Sequence, residues 1–588
     1  MPTVQRTLFD MLDEIEQRCG WLPKEELRTL ALQRGMPLYR LQEVASFYNS
    51  YHLEKPADVE VRVCRDMACH MRGSAQLRGA VERHFGDDES RVKVVGASCL
   101  GRCDQPVAFG IGHHFYQATN PDQCISNIEA ALKGNAEQDD LYEGPIPPEW
   151  KIDPYQGEET YEALKDFISN KDDLSGQQEL VLKSLEESKL VGKGGPGART
   201  GKKWRTVGSQ KQDVRYVVCN GDESEPGTFK DRELFSKAPH LVIEGVLIAG
   251  LTLGARECWI YVRHEYPQQI ETLRKAITRA REMGVCGRNI LGSRLDCDID
   301  VFVSPGNYIC GEQTALIEAM ELKRPEPRQR PPNLEIKGLF QKPTLVNNVE
   351  TFAWIPAILR KGPQWYLDQG ANGCTGRRFI SVSGDVEKPG VHEVPLGCTV
   401  GDMLELCGGI AGGRAMQAVG LSGPSGGFLP PRLSRRVLPS GFQDKYMSKD
   451  EDHFDILKLP VDNNFFRRTL EGRFAVGAAI IFVGEQTDMY SLIKNATEFY
   501  RNESCGKCVP CRVGGQKLVE ISDGIREGKA PDSNLFEALQ QTMREASICG
   551  LGQVASVPIA SFLEFFPEYT SEDGAKDMMM RTVQPRDL

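Results

Sequence analysis

Two sets of four cysteines are spaced for metal chemistry. Cys505, Cys508 and Cys511 form C-x2-C-x2-C, and Cys549 follows in a Cys-Gly-Leu-Gly turn. Three thiolates on one turn-rich loop can cap three irons of a cubane while the remote cysteine takes the fourth. That pattern predicts a [4Fe–4S] site, with structural zinc as the alternative. Nearer the amino terminus, Cys64 and Cys69 form C-x4-C, and Cys99 and Cys103 form C-x3-C. These gaps are wider than the C-x2-C turns of a zinc knuckle and suit a [2Fe–2S] rhomb; zinc and redox thiols are the competing readings. The chain holds 18 cysteines, and short regular spacings in a long chain point to metal rather than to disulfides.

A second chemistry lies between the two cysteine sets. The stretch LVGKGGPGARTGKKW, residues 190–204, contains Gly192, Gly194, Gly195, Gly197 and Gly201 beside Lys193, Arg199, Lys202 and Lys203. Such a loop lets the backbone approach a ligand, and its N–H groups and lysines together favour an anion. A phosphate-bearing cofactor is one reading and a flexible basic linker the other. Lys203 stands where a Walker loop needs Ser or Thr. The GxGxxG spacing of Gly192, Gly194 and Gly197 opens no clear apolar helix, so a dinucleotide fingerprint is not expected. Further on, NGDESEPGTFKDR (220–232) places Asp222, Glu223 and Glu225 before the Pro226-Gly227 turn. It is either a solvated surface or a strand end of the kind where α/β domains collect ligand groups. The nine histidines are scattered, and His70, beside Cys69, either tunes or merely flanks the first cluster. Two unlike cluster sites and a phosphate-cradling loop predict an electron wire. Flavin fits it, because flavin accepts a hydride as two electrons and releases them singly.

The elements that must position these groups form an α/β multidomain chain. At 588 residues the chain is too long for one core. Residues 1–55 read as helices (Leu8–Cys19, Glu25–Arg34, Leu38–Tyr51), followed by a 56–135 domain whose alternating VEVRVC strand ends at Cys64. Residues 136–175, acidic and proline-bearing, read as a linker. A 176–368 α/β domain carries the glycine loop, strands at 215–219, 258–262 and 301–304, and helices at 240–253 and 265–283. There Gly311 is expected to open a helix with Glu312 in its first turn, and Leu345–Thr351 to start another with Asn347 and Asn348 at its mouth. Short alternating strands make 369–462 a β-grasp-like domain, with 426–462 as a patternless surface excursion, and 463–588 a helical domain. The net charge is −11, from 71 Lys plus Arg against 82 Asp plus Glu, which argues against a nucleic-acid partner. The acidic start MPTVQRTLFDMLDEIEQ is unlike a signal peptide, and no apolar run is long enough to span a bilayer. A cytoplasmic protein is expected, peripheral to a membrane only through partners.

The ordered motifs GKGGPGARTGKKW, YVVCNGDESEPGTFKDR, NYICGEQTAL, KPTLVNNVET and ESCGKCVPCRVG with SICGLGQ carry a resemblance. Residues 180–570 resemble the NADH-oxidising flavoprotein subunit of respiratory complex I and the diaphorase subunits of NAD-reducing hydrogenases and NAD-dependent formate dehydrogenases. Residues 5–130 resemble their small thioredoxin-like [2Fe–2S] partner, here fused in front. The resemblance implies that Gly192, Gly194, Gly195, Lys203, Asn220, Asp222, Glu223, Tyr308, Gly311, Glu312, Asn347 and Asn348 hold FMN. It implies that Glu225 sits near the nicotinamide of NAD(H) as the catalytic residue. It also implies partner subunits with further clusters and the terminal catalytic site, since no nickel or molybdopterin ligand set is evident here.

The departures from the family pattern are concentrated. Ala198 and Arg199 replace a Phe-Pro pair, Thr206 and Asn333 stand where the family carries phenylalanines that stack on adenine, and Gln313 replaces a glutamate. Stacking is worth roughly 1–3 kcal/mol per platform. Three accounts compete: other residues, such as Trp204 or Arg205, replace the stack; Arg199 and Lys202 take a 2′-phosphate; or the chain relays electrons to a ferredoxin, flavodoxin or another subunit without nicotinamide.

Overall fold

The computed structural model describes residues 8–567 apart from 87–89, 136–143, 170–172, 196, 473 and 530. Strands β1 (Val59–Cys64), β2 (Val92–Ala97), β3 (Ala108–Ile111) and β4 (His114–Gln117) form a sheet in the order β2-β1-β3-β4. Val59, Val61 and Val63 point into its core, as period-2 alternation requires. Strands β1 and β2 run parallel, so Cys64 at the end of β1 and Cys99 just beyond β2 emerge at the same edge.

The flavin-type domain is built on β5 (Tyr216–Gly221), β6 (Glu257–Arg263), β7 (Asp298–Ser304) and β8 (Thr344–Asn348), all parallel, in the order β7-β6-β5-β8. Alternate strand residues enter two cores. Val217, Cys219, Ile260, Val262 and Leu345 pack beneath helices Pro239–Leu253 and Val349–Lys361. Val218, Tyr261, Phe302 and Val346 enter the other core. Burial on both faces explains why these strands lack alternation. The second core is shared with the amino-terminal helices, where Phe9 meets Phe302 and Tyr48 edge-on. Residues 8–51 thus form one wall of the flavin domain, with their third helix confined to Leu38–Ala45.

Several expectations change. TLVNN is a strand, and the following helix begins at Val349; a short apolar run fits either state, and pairing with β5 decides it. Helix Thr200–Gly208 does open directly from the glycine loop, seated by Trp204 and Val207. Gly311 ends a 3-10 turn, and the helix begins at Gln313 with Glu312 as its cap. The fourth change is in the β-grasp-like domain, where β9 (Arg377–Gly384), β10 (Gly390–Pro395) and β11 (Met416–Gly420) are completed by a strand from beyond the expected boundary. After the small hairpin of β12 (Arg432–Ser434) and β13 (His453–Asp455), β14 (Ala479–Gly484) inserts between β9 and β11. The domain therefore runs past 462. The 426–462 segment buries Phe442, Phe454, Ile456 and Leu459 rather than lying on the surface.

The described part of the linker is likewise packed. Trp150, Ile152, Tyr155, Leu164 and Phe167 join the flavin-domain core. Glu244 holds them from the buried helix, accepting from the Tyr155 hydroxyl at 2.9 Å and the Leu164 amide at 3.0 Å. Helices Met489–Asn502, Val509–Arg526, Ser533–Ala546, Gly550–Val554 and Val557–Phe565 complete the carboxyl-terminal part. Among the described residues no single helix is long and apolar enough to cross a membrane.

Candidate active site and cluster sites

Asn220 is next to last in β5, Asn347 and Asn348 end the adjacent β8, and the two strands are in register there. From β5 the chain continues to β6 and β7 on one side, while β8 lies on the other. These residues therefore sit at the carboxyl edge where strand order reverses, the usual ligand position of such sheets. The Asn220 side-chain amide donates to the Gly311 carbonyl at 2.9 Å. A Cβ on Gly311 would approach the Asp222 carbonyl to 3.0 Å, and one on Gly194 would come within 3.1 Å of the Asn348 side chain. Glycine allows a close approach at both positions.

The glycine loop is a pinched hairpin. Gly192 N–H donates to Ala198, Thr200 N–H to Leu190, and Lys193 N–H to the Thr351 hydroxyl. Gly194 and Gly195 are exposed at its apex, and a Cβ on Gly195, at φ +125°, would meet nothing within 4 Å. Lys203 reaches under the loop to the Val346 carbonyl at 2.6 Å and the Gln313 Oε1 at 3.1 Å, and burial lowers its pKa to about 8. Exposed glycine amides and a buried lysine at a sheet's carboxyl edge fit the phosphate end of FMN. Lys193 faces elsewhere, with its ammonium on the Arg377 carbonyl at 2.8 Å.

Three predicted contacts fix helix starts. Glu312 caps Gln313–Met320 through the Thr314 and Ala315 amides, and Asn348 caps Val349–Lys361 through the Glu350 amide. Glu223 accepts from the Asp231 amide at 2.9 Å and the Arg232 amide at 3.2 Å, and from the Tyr266 hydroxyl. That turns its carboxylate toward the [2Fe–2S] domain. Asp222 accepts from Ser224 at 2.7 Å and Ser304 at 3.1 Å, and burial raises its pKa to about 7. Glu225 meets Tyr308: the phenol donates to one carboxylate oxygen, and the Ser425 amide donates to the other at 3.2 Å. Burial lifts Glu225 to about 7, against the pull of both donors. The 220–232 motif is thus a buried site wall, not a solvated surface.

In the first cysteine set, Cys99 and Cys103 sulfurs lie 3.4 Å apart. Backbone amides donate to the sulfurs, Ala108 to Cys69 at 3.4 Å and Gly101 to Cys99 at 3.5 Å. Gly227 of the flavin domain donates to Cys103 at 3.2 Å. Buried thiols ringed by amide donors suit a [2Fe–2S] cluster. His70 turns away, its Nε2 against Ser491 at 2.9 Å, so it flanks. The interface is closed by Arg232, which donates to the Gly101 carbonyl and bidentately to Asp104, and by Arg263, which donates to the Cys99 carbonyl at 2.7 Å.

Cys505, Cys508, Cys511 and Cys549 line one cavity with Ile309, Ser504 and Leu551. Cys508 and Cys549 each start a helix, Val509–Arg526 and Gly550–Val554. Four thiols around one small cavity suit a [4Fe–4S] cluster.

Comparison with known proteins agrees with this layout. Family models match residues 1–132 (thioredoxin-like [2Fe–2S] ferredoxin), 185–357 (Nuo51 FMN-binding domain), 379–429 (SLBB domain) and 491–573 (NADH-ubiquinone oxidoreductase-F iron-sulfur binding region). The chain is 38% identical over 420 residues to one of the subunits of the NADH-quinone oxidoreductase of Aquifex aeolicus, covering 71% of this chain and 90% of that one. It is 32% identical over 581 residues to the alpha subunit of the NAD-reducing hydrogenase HoxS of Cupriavidus necator, covering 95% and 91%. The chain belongs to the family of these flavoprotein iron–sulfur subunits. A crystal structure of an NAD+-reducing [NiFe]-hydrogenase in the H2-reduced state superposes with a TM-score of 0.80 at 26% identity, covering 99% of this chain and 94% of that one. The chain therefore has the family's four-part architecture, with FMN, [2Fe–2S] and [4Fe–4S] domains and an SLBB module between them.

Sequence reasoning missed Gly227, Ser425, Arg263 and Glu503. Glu503 accepts from the Tyr308 amide at 2.8 Å and from the Ser98 hydroxyl beside Cys99. Its place two residues before Cys505 was the available signal. Both residues named as examples for replacing the stack are engaged elsewhere. Trp204 is fully buried and donates to Asn347 at 3.3 Å, and Arg205 is held by Glu179 and Glu186.

Proposed function

We propose that this chain is the nicotinamide-facing electron-transfer component of a larger redox complex, exchanging hydride between NAD(H) and FMN and passing single electrons to its two clusters. One observation carries this reading. The Glu225–Tyr308 hydrogen bond joins two segments, and each segment touches a different cluster site: Gly227 donates to Cys103, while Ile309 lines the cavity of the other four cysteines. The cofactor-facing wall therefore lies between the two clusters. FMN, when bound, converts a two-electron hydride into single electrons. Gly194, Gly195 and Lys203 would hold its phosphate. Asn220, Gly311, Asn347 and Asn348 would present amide and carbonyl groups to its polar edges. Glu225 and Tyr308, both partly buried, share the phenol proton and would present it on the wall that faces the cofactor.

Partner subunits with the terminal catalytic site, and a cytoplasmic setting, belong to the same reading. They are supported by the subunit status of the relatives. The domain limits that follow are 8–51 packed on 176–368, 56–135, 369–484 and 485–567.

A second reading rests on Ala198, Thr206 and Asn333. No aromatic stands at these positions, and Trp204 and Arg205 are engaged elsewhere. On this reading electrons enter from another protein. The test is anaerobic titration of the FMN-loaded chain with NADH and, separately, NADPH, following flavin absorbance at about 450 nm. Bleaching by NADH supports the first reading. Selective bleaching by NADPH assigns the exposed Arg199 and Lys202 to a 2′-phosphate. If neither bleaches while dithionite reduces flavin and clusters, nicotinamide is not the substrate.

A further inference from the structure

We propose that the 421–427 loop of the SLBB sheet is a positioning element for both the flavin-site carboxylate Glu225 and the [2Fe–2S] ligand Cys103, with Gly423 setting the fit. This builds on the reading above but assigns a role to a module otherwise outside the electron path.

The loop is anchored where Gly423 N–H donates to the Ala479 carbonyl of β14 at 3.1 Å. From there it presses on the Glu225–Gly227 segment. Gly423 has φ +58°, and a Cβ on it would lie 2.7 Å from the Pro226 carbonyl and 3.2 Å from the Glu225 side chain. No real side chain tolerates the first distance, so the two backbones touch only because residue 423 is glycine. Two residues on, the Ser425 amide donates to Glu225 at 3.2 Å.

The other end of the segment rests on the same module. Gly227, at φ +92°, has Ile481 of β14 3.0 Å from its ideal Cβ. Its N–H points at the Cys103 sulfur at 3.2 Å, and Phe229 N–H donates to Ser381 of β9 at 2.9 Å. Three consecutive residues thus run from a flavin-site carboxylate to a cluster ligand, seated throughout on the SLBB sheet. A displacement at Pro226 moves both ends. An amide hydrogen aimed at a ligand sulfur stabilises the added electron of the reduced cluster, so lengthening that bond makes the potential more negative.

The test is Gly423→Ala in the full chain carrying FMN and both clusters, poised with dithionite so that nicotinamide plays no part. Two quantities are read by EPR: the [2Fe–2S] midpoint, and the hyperfine coupling of its exchangeable amide proton. The expected result is a more negative [2Fe–2S] midpoint and a weaker coupling, with the [4Fe–4S] midpoint unmoved. In a separate assay, if NADH is a substrate, kcat for flavin reduction falls about tenfold or more, because displacement of about 1 Å at a site can cost that much. If Gly423→Ala does not load its clusters, Ile481→Ala frees Gly227 from the other side and should shift the same midpoint in the same direction. An unmoved [2Fe–2S] midpoint and coupling in the loaded variant overturn the proposal. Failure of NADH to reduce flavin leaves this test intact and bears only on the nicotinamide reading.

Discussion

Glu225 and Tyr308 are hydrogen-bonded, phenol to carboxylate, across two segments that otherwise serve different clusters. Tyr308 also packs edge-on against Phe499 of the [4Fe–4S] region, with ring centroids 5.1 Å apart. Its amide is held by Glu503, which reaches Ser98 beside the [2Fe–2S] ligands. Three modules therefore meet within a few side chains, and displacing any one of them should register at the others.

Tyr308→Phe removes a donor that holds the Glu225 pKa down against burial. A hydrogen bond to a charged group is worth roughly 1.5–3 kcal/mol, or about one to two pKa units. Glu225 already sits at about 7, so in the variant it stays protonated to higher pH. A raised carboxyl pKa contributes stability that is full below the unfolded value of about 4.5 and lost as pH rises through the folded value. The thermal midpoint should therefore fall between about pH 5 and about pH 7 in the wild type. Tyr308→Phe should leave the lower edge of that fall in place and extend its upper end by about one unit, as thermal scans across pH will show.

Lys203→Met should weaken FMN binding by about 10- to 100-fold, because it removes a charge-assisted contact. The Lys203 pKa is lowered to about 8 by burial, so in the FMN-free protein the ammonium is lost on passing that pH. Rebinding of FMN should weaken above about pH 8 in the wild type and show no such step in the variant. Fluorescence quenching of added FMN measures both.

The two cluster-binding regions were legible because C-x4-C, C-x3-C and C-x2-C-x2-C are local in sequence, and family models match both regions. Asn347 and Asn348 were placed at the site but in the wrong element, because TLVNNV satisfies strand and helix alike until β5 pairs with it. The helix after the glycine loop was hidden by its lysines and its glycines, Gly201 and Gly208, and shows itself only through the burial of Trp204 and Val207. Contacts that depend on distant pairing left no local trace. Strand β14 closes a sheet begun about a hundred residues earlier, and the Ser425 amide reaches Glu225 across 200 positions. The 426–462 segment looked patternless because its buried phenylalanines sit on elements too short to show a period, Phe442 on helix Ser440–Tyr446 and Phe454 on β13.

Arg232→Ala should loosen the [2Fe–2S] domain. Its guanidinium is buried and donates to the Gly101 carbonyl at 2.8 Å and to Asp104 at 2.7 and 3.0 Å. Removing one partner of a buried pair costs about 3–5 kcal/mol, because the other charge is left stranded. Limited proteolysis should then cut the 56–135 region from the rest under conditions where the wild type is intact. Arg232→Lys should restore only part of the protection, since a single ammonium cannot reproduce the fork.

Cys549→Ser should remove the [4Fe–4S] cluster and leave the fold. Cys549 is the cap residue of helix Gly550–Val554 and makes no side-chain cap bond there. Serine is among the preferred residues at that position, so the substitution is neutral or slightly stabilising for the helix, by about 0.5–1 kcal/mol. As a ligand, however, a serine hydroxyl is a poor replacement for the thiolate that takes the fourth iron. Iron and acid-labile sulfide should fall by about four atoms each per chain, and the [2Fe–2S] EPR signal should persist, because Gly227, Ala108 and Gly101 still donate to its ligand sulfurs. FMN content should also persist, since Gly194, Lys203 and Asn348 are not among the residues that line the cavity of the four cysteines. Two-electron reduction of flavin would then continue while transfer to an external one-electron acceptor slows. Loss of both clusters together, with FMN, would instead mean that the fourth thiolate holds the whole carboxyl-terminal region in place.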